Sequence, residues 1–135
     1  MTNTATGNAT EFTLDRIGQI AIIVRDTARA TRFYRDTLGL RLLFEAPPSL
    51  AFFDCGGVRL MLGPAEGTGK DSMSSILYYN VTDIHRAHEA LVARGVQFEE
   101  TPHIVAKLPD RDVWMALLRD SENNLLGLMN EVPRA

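Results

Sequence analysis

From Ile17 to Val24 (IGQIAIIV) β-branched residues dominate, and the run predicts a strand. Asp26-Thr27 then offers an N-cap for a helix over Ala28 to Leu38, with Phe33, Tyr34 and Leu38 on its apolar side and Gly39 placed to stop it. Three short strand-like runs follow, Leu40 to Glu45, Leu50 to Asp54 and Val58 to Leu62, separated by the turn residues Pro47-Pro48 and Cys55-Gly56-Gly57. The stretch Gly63 to Asp71 (GPAEGTGKD) has the composition of a linker. After it the order returns. Ile76 to Val81 reads as a strand, Asp83 caps a helix running to about Arg94, and Gly95 ends it. Strand-like runs near Val96 to Lys107, Val113 to Arg119 and Leu125 to Asn130 complete the second half.

The repeat holds by position. Val24-Arg25-Asp26 matches Val81-Thr82-Asp83 at an offset of 57, and Gly39-Leu40 matches Gly95-Val96 at 56, one residue less. Asp54 stands seven residues before Met61, and Asp120 stands seven before Gly127, so the last hairpin recurs as well. A βαβββ unit is duplicated, and both copies must satisfy the same packing. The expected organisation is a tail over residues 1–13, a first module over about 14–63, a linker over 64–73 and a second module over about 74–131.

Composition narrows the classes of function. The chain of 135 residues, 45% hydrophobic and 23% charged, fits one globular domain. A net charge of -3 without a Lys or Arg block excludes a phosphate-binding surface, so nucleic acid is not an expected partner. No apolar run approaches the roughly 20 residues that span a bilayer, and the start is small and polar; a cytoplasmic protein without a membrane partner is expected. The single cysteine, Cys55, lies at an expected turn without a recognisable base, and reads as a plain thiol.

Val24-Arg25-Asp26, Phe33-Tyr34 and Leu38-Gly39-Leu40 resemble, in type and spacing, the V-x-D, F-Y, L-G-L pattern of the vicinal oxygen chelate superfamily, which includes glyoxalase I, bleomycin-resistance proteins and extradiol dioxygenases. Asp120-Ser121-Glu122-Asn123-Asn124 resembles that family's D-P-D-G-N hairpin, departing at Ser121 and Asn123; Asn tolerates a left-handed backbone, so the turn survives the loss of glycine. The matches cover about residues 14–131. The resemblance implies an α+β fold of two βαβββ modules whose curled mixed sheets form a cleft, commonly in homodimers. In metal-dependent members the first and last strands of each module supply the ligands. The corresponding positions here are Gln19, Met61, Ile76 and Gly127. A catalytic zinc site normally needs three protein ligands. Gln19 alone offers a hard donor and the Met61 thioether suits soft metals, so neither a metal nor another cofactor is expected. His85 and His88, three apart on the second helix, read as solvated or packing residues without a third ligand.

Strand alternation maps the cleft: Gln19, Ala21 and Ile23; Arg59 and Met61; Ile76, Tyr78 and Asn80; Leu125, Gly127 and Met129. Gln19, Arg59, Met61, Ile76, Tyr78, Gly127 and Met129 are the candidate substrate-binding residues from it. Arg59 suits a carboxylate or phenolate, or alternatively extends into solvent. Trp114 is a further candidate as a pocket wall, against a role in the core. His103 is the candidate general base, because its ordinary pKa lies near working pH, against a hydrogen-bonded surface role. Three readings follow: a metal-independent isomerase, cyclase or lyase acting on a small organic molecule; a non-enzymatic protein that binds a drug or metabolite; and a metal-dependent glyoxalase-type lyase, ranked last.

Overall fold

The computed structural model describes residues 17–65 and 75–134; the expected tail and most of the expected linker lie outside them. The first module runs β1 (Gln19–Ile23), α1 (Thr27–Arg32) extended by a π-helical turn (Phe33–Thr37), β2 (Arg41–Ala46), β3 (Leu50–Cys55) and β4 (Val58–Gly63). The second runs β5 (Leu77–Asn80), α2 (Ile84–Ala93), β6 (Phe98–Lys107), β7 (Arg111–Arg119) and β8 (Leu125–Pro133). Each module is one four-stranded sheet, in the order β1-β4-β3-β2 and β5-β8-β7-β6. In each, the first strand pairs parallel with the last and the other ladders are antiparallel. The fold is α+β with two mixed sheets, as the repeat implies.

The caps fall where the sequence places them. Asp26 Oδ1 accepts from the Arg29 backbone N–H at 3.0 Å, and Asp83 Oδ1 from that of Arg86 at 3.2 Å. The capping signals predict one continuous helix, but the first helix is not α-helical throughout. Leu38 N–H donates to the Phe33 carbonyl at 3.0 Å, five residues back, which closes a π turn. That turn accommodates the one extra residue of the first helix, and accounts for the change of offset from 57 to 56. Gly39 and Gly95 then take φ of +83° and +91°, the left-handed backbone that lets the chain leave each helix.

Alternate strand residues face the helices. Ile22, Ala51, Phe53, Leu60 and Leu62 of the first sheet and Ala116, Leu118, Leu126 and Leu128 of the second join Ala30, Tyr34, Ile84 and Leu91 in one core that spans both modules. Polar bonds from the β7–β8 turn add to that junction. Tyr34 Oη donates to the buried Asp120 carboxylate at 2.7 Å, and Asn124 Nδ2 to the Ile23 carbonyl at 3.0 Å. Glu122 Oε1 accepts the backbone N–H groups of Arg25 and Asp26 at 3.1 and 3.0 Å, and its other oxygen pairs with Arg29 Nε at 2.7 Å. At the turn, Asn123 holds φ of +68°, the conformation expected of an Asn standing where the hairpin pattern has glycine.

Candidate functional site

Side chains alternate across a strand, so the face of each sheet turned away from its helix carries the other half of the strand residues. On the first sheet, cross-strand register aligns Gln19 with Arg59 and Asp54, and Ala21 with Met61, Phe52 and Phe44. These residues form a built patch. Arg59 Nε donates to Gln19 Oε1 at 2.8 Å, and its guanidinium carbon lies 5.3 Å from the centroid of the Phe52 ring. Phe44, 48% exposed, stacks on Phe52 with centroids 4.5 Å apart. Gln19 Nε2 reaches towards Met61 Sδ at 3.8 Å. Asp54 faces Arg41 at 3.9 Å, and Arg59 has no carboxylate partner among the described residues.

On the second sheet, register aligns Tyr78 with Gly127, Leu117 and Glu100, and Asn80 with Met129, Met115 and His103. Tyr78 lies across Gly127: a Cβ added there would come within 2.2 Å of the ring, so only glycine allows this approach. The ring is 44% exposed and covers the position where the resemblance places a ligand. Ile76 immediately precedes β5 and is also exposed. His103 Nδ1 lies 2.8 Å from the Thr101 carbonyl, which can only accept, so Nδ1 is the donor of that bond. Nε2 stands 3.5 Å from Glu100 Oε1.

Trp114, a pocket-wall or core candidate by sequence, takes the core side. It aligns with Ile104 and Asn130 on the helix-bearing side, packs against the core, and meets the His85 ring of α2 edge to face at 4.8 Å. His88 packs likewise against Phe98 at 4.5 Å, which gives both helix histidines packing contacts. Cys55 ends β3, and burial, with Asp54 beside it, pushes its thiol up, away from a reactive thiolate. Phe44, Phe52 and Met115 are pocket-face residues that sequence alternation did not single out. Leu50 to Phe53 is apolar at every position, so no alternation marks which side Phe52 takes; its pairing with Met61 does.

The four positions implied as metal ligands do not fit a divalent cation. The Gln19 oxygen already accepts from Arg59, whose positive charge would oppose an ion, and Ile76 and Gly127 bring no donor. Among the described residues no group of three His, Cys, Asp or Glu side chains is arranged to hold a metal.

Residues 16–123 match the sequence profile of the Glyoxalase/Bleomycin resistance protein/Dioxygenase superfamily. The chain is 30% identical over 124 residues to the uncharacterized protein YraH of Bacillus subtilis (strain 168), covering 80% of this chain and 92% of that one. Its fold is similar to that of TnmS3, an antibiotic binding protein from Streptomyces sp. CB03234, with a TM-score of 0.71 at 22% identity over 90% of this chain and 99% of TnmS3. It is also similar to lactoylglutathione lyase from Agrobacterium tumefaciens, with a TM-score of 0.67 at 21% identity over 85% and 92% of the two chains.

Proposed function

Because the chain belongs to the Glyoxalase/Bleomycin resistance protein/Dioxygenase superfamily, we propose that it binds a small planar organic molecule carrying an acidic group, without a metal, on the faces turned away from its helices. The observation that carries this reading is Arg59, oriented by Gln19 over Phe52 and left without a carboxylate. A guanidinium held in place loses little entropy on meeting a carboxylate or phenolate, and the Phe44–Phe52 stack offers an aromatic surface beside it. Met61 supplies adaptable apolar area, and Met129 does so on the other sheet. The antibiotic binding named for TnmS3 accords with a sequestering role. No helix among the described residues is long and apolar enough to cross a membrane, and our reading places the protein in the cytoplasm.

The pocket is completed by a second copy of the chain. The open faces of the two sheets lie on separate ladders, and each leaves large apolar side chains exposed, Phe44 on one and Ile76 and Tyr78 on the other. A homodimer that brings the first sheet of one protomer against the second sheet of its partner would cover both. Light scattering after size exclusion is expected to give twice the chain mass; a monomer at all concentrations overturns this part.

Arg59→Gln is expected to weaken a planar anionic ligand at least about tenfold in calorimetric titration, with the fold retained. Unchanged affinity would remove Arg59 from the site. A second reading, proton transfer by His103, rests on its ring being held by the Thr101 carbonyl with Nε2 facing Glu100. His103→Ala separates the two: a sequestering protein keeps its affinity within about twofold, whereas a His-dependent enzyme keeps affinity and loses turnover of the same ligand.

A further inference from the structure

We propose that the protein carries a second small-molecule site, on the helix-bearing side of the second sheet, that takes a small apolar monocarboxylate. The offset of 57 that links Asp26 to Asp83 places Ala90 and Leu91 where the first module has Phe33 and Tyr34. Two aromatic rings give way to a methyl and an isobutyl group, and a packed helix and sheet relax only partly into such a loss. A cavity of about 320 Å³ lies there, lined by both Ala90 and Leu91, at the lower end of the ~300–1,000 Å³ range of small-molecule pockets. Leu118, Leu126 and Leu128 form its sheet side, and Leu38 and Leu40 close it from the first module.

The charge of Arg94 at its rim distinguishes it from a packing defect. Arg94, exposed at the end of α2, is tethered by donation from Nη1 to the Thr37 carbonyl at 2.7 Å and has no carboxylate partner among the described residues. Tyr79 lines the cavity, and its hydroxyl is buried with no hydrogen-bond partner among the described residues. The apolar lining disfavours a sugar or nucleotide, the guanidinium favours an anion, and the volume admits one ring or a short branched chain. This site lies on the opposite side of the sheet from Tyr78, Met115 and Met129, so it stands independently of the open-face reading.

The test titrates the full chain carrying Arg59→Gln, which weakens the open-face site, with 4-fluorobenzoate and with the neutral 4-fluorobenzamide, followed by calorimetry and by fluorine NMR. Saturable binding of one benzoate per chain is expected. On that background Arg94→Gln should weaken the benzoate about tenfold and leave the amide unchanged, and Ala90→Phe should remove both. Arg94→Gln is a surface change and carries the test even where Ala90→Phe does not fold. No saturable binding at millimolar ligand, benzoate affinity unmoved by Arg94→Gln, or binding kept in Ala90→Phe would each overturn the proposal.

Discussion

Asp120→Ala is expected to destabilise the protein by about 3 kcal/mol, lowering the thermal midpoint by roughly 10 °C for a chain of this size. Asp120 is buried and accepts from four donors: the Tyr34 hydroxyl at 2.7 Å, the backbone N–H groups of Glu122 and Asn124 at 2.8 Å each, and Asn124 Nδ2 at 3.0 Å. Alanine leaves the Tyr34 hydroxyl buried without a partner and releases the β7–β8 turn together. Burial, with the Asp120 charge beside it, holds the Tyr34 phenol far above its usual range, so it remains a donor throughout the working pH range. Tyr34→Phe is the asymmetric control. It removes one donor and leaves Asp120 three, so about 1 kcal/mol is expected. Denaturant titrations of both variants check the pair, and equal losses would show that Asp120 acts only through Tyr34.

Glu122→Gln is expected to cost about 2 kcal/mol at neutral pH, and the deficit should vanish in acid. The Arg29 guanidinium, and then the backbone N–H groups of Asp26 and Arg25, hold the Glu122 carboxyl down from its ordinary value of 4.5 to about 2, against the opposing effect of burial. A carboxyl depressed in the folded state contributes stability that is complete above its unfolded pKa and is lost as pH falls through its folded one. The window is therefore from about 4.5 down to about 2. The full shift would correspond to about 3 kcal/mol, and the half-exposed Arg29 screens part of it. The Glu122 side chain is 2% exposed, which limits screening on its own side. Stability of wild type and variant measured from pH 7 to pH 2 decides the matter: a constant difference across that range would mean that the carboxylate charge is not what joins the turn to α1.

Which face each candidate residue takes is partly legible in the sequence, and the limits have physical causes. Gln19, Arg59 and Met61 were placed on one face by strand alternation, and register confirms their alignment, because β1 and β4 alternate polar and apolar residues at their starts. Tyr78, Gly127, Met129 and His103 likewise share a face of the second sheet. Trp114 stays open between pocket wall and core in the sequence because β7 carries Val113-Trp114-Met115-Ala116-Leu117-Leu118 without a polar residue, so no local signal marks the side each takes. Phe44 and Phe52 escaped for the same reason. Their stacking depends on a register shift between Leu42 and Phe44, which no local pattern encodes.

Local chemistry and repetition determined the modules: the Asp26 and Asp83 caps, the stopping glycines, the turn at Asn123 and the duplicated βαβββ order are each written in a few adjacent residues. Even the π turn left a trace, as one residue of changed offset. What the tertiary structure alone decided is how side chains distant in the chain meet. Glu122 reaches α1, Tyr34 reaches Asp120, Arg59 settles between Gln19 and Phe52, and Ala90 leaves a cavity where its counterpart fills one. Periodicity reports which face a residue takes, whereas the partner it finds there is set by sheet register and by the packing of one module against the other.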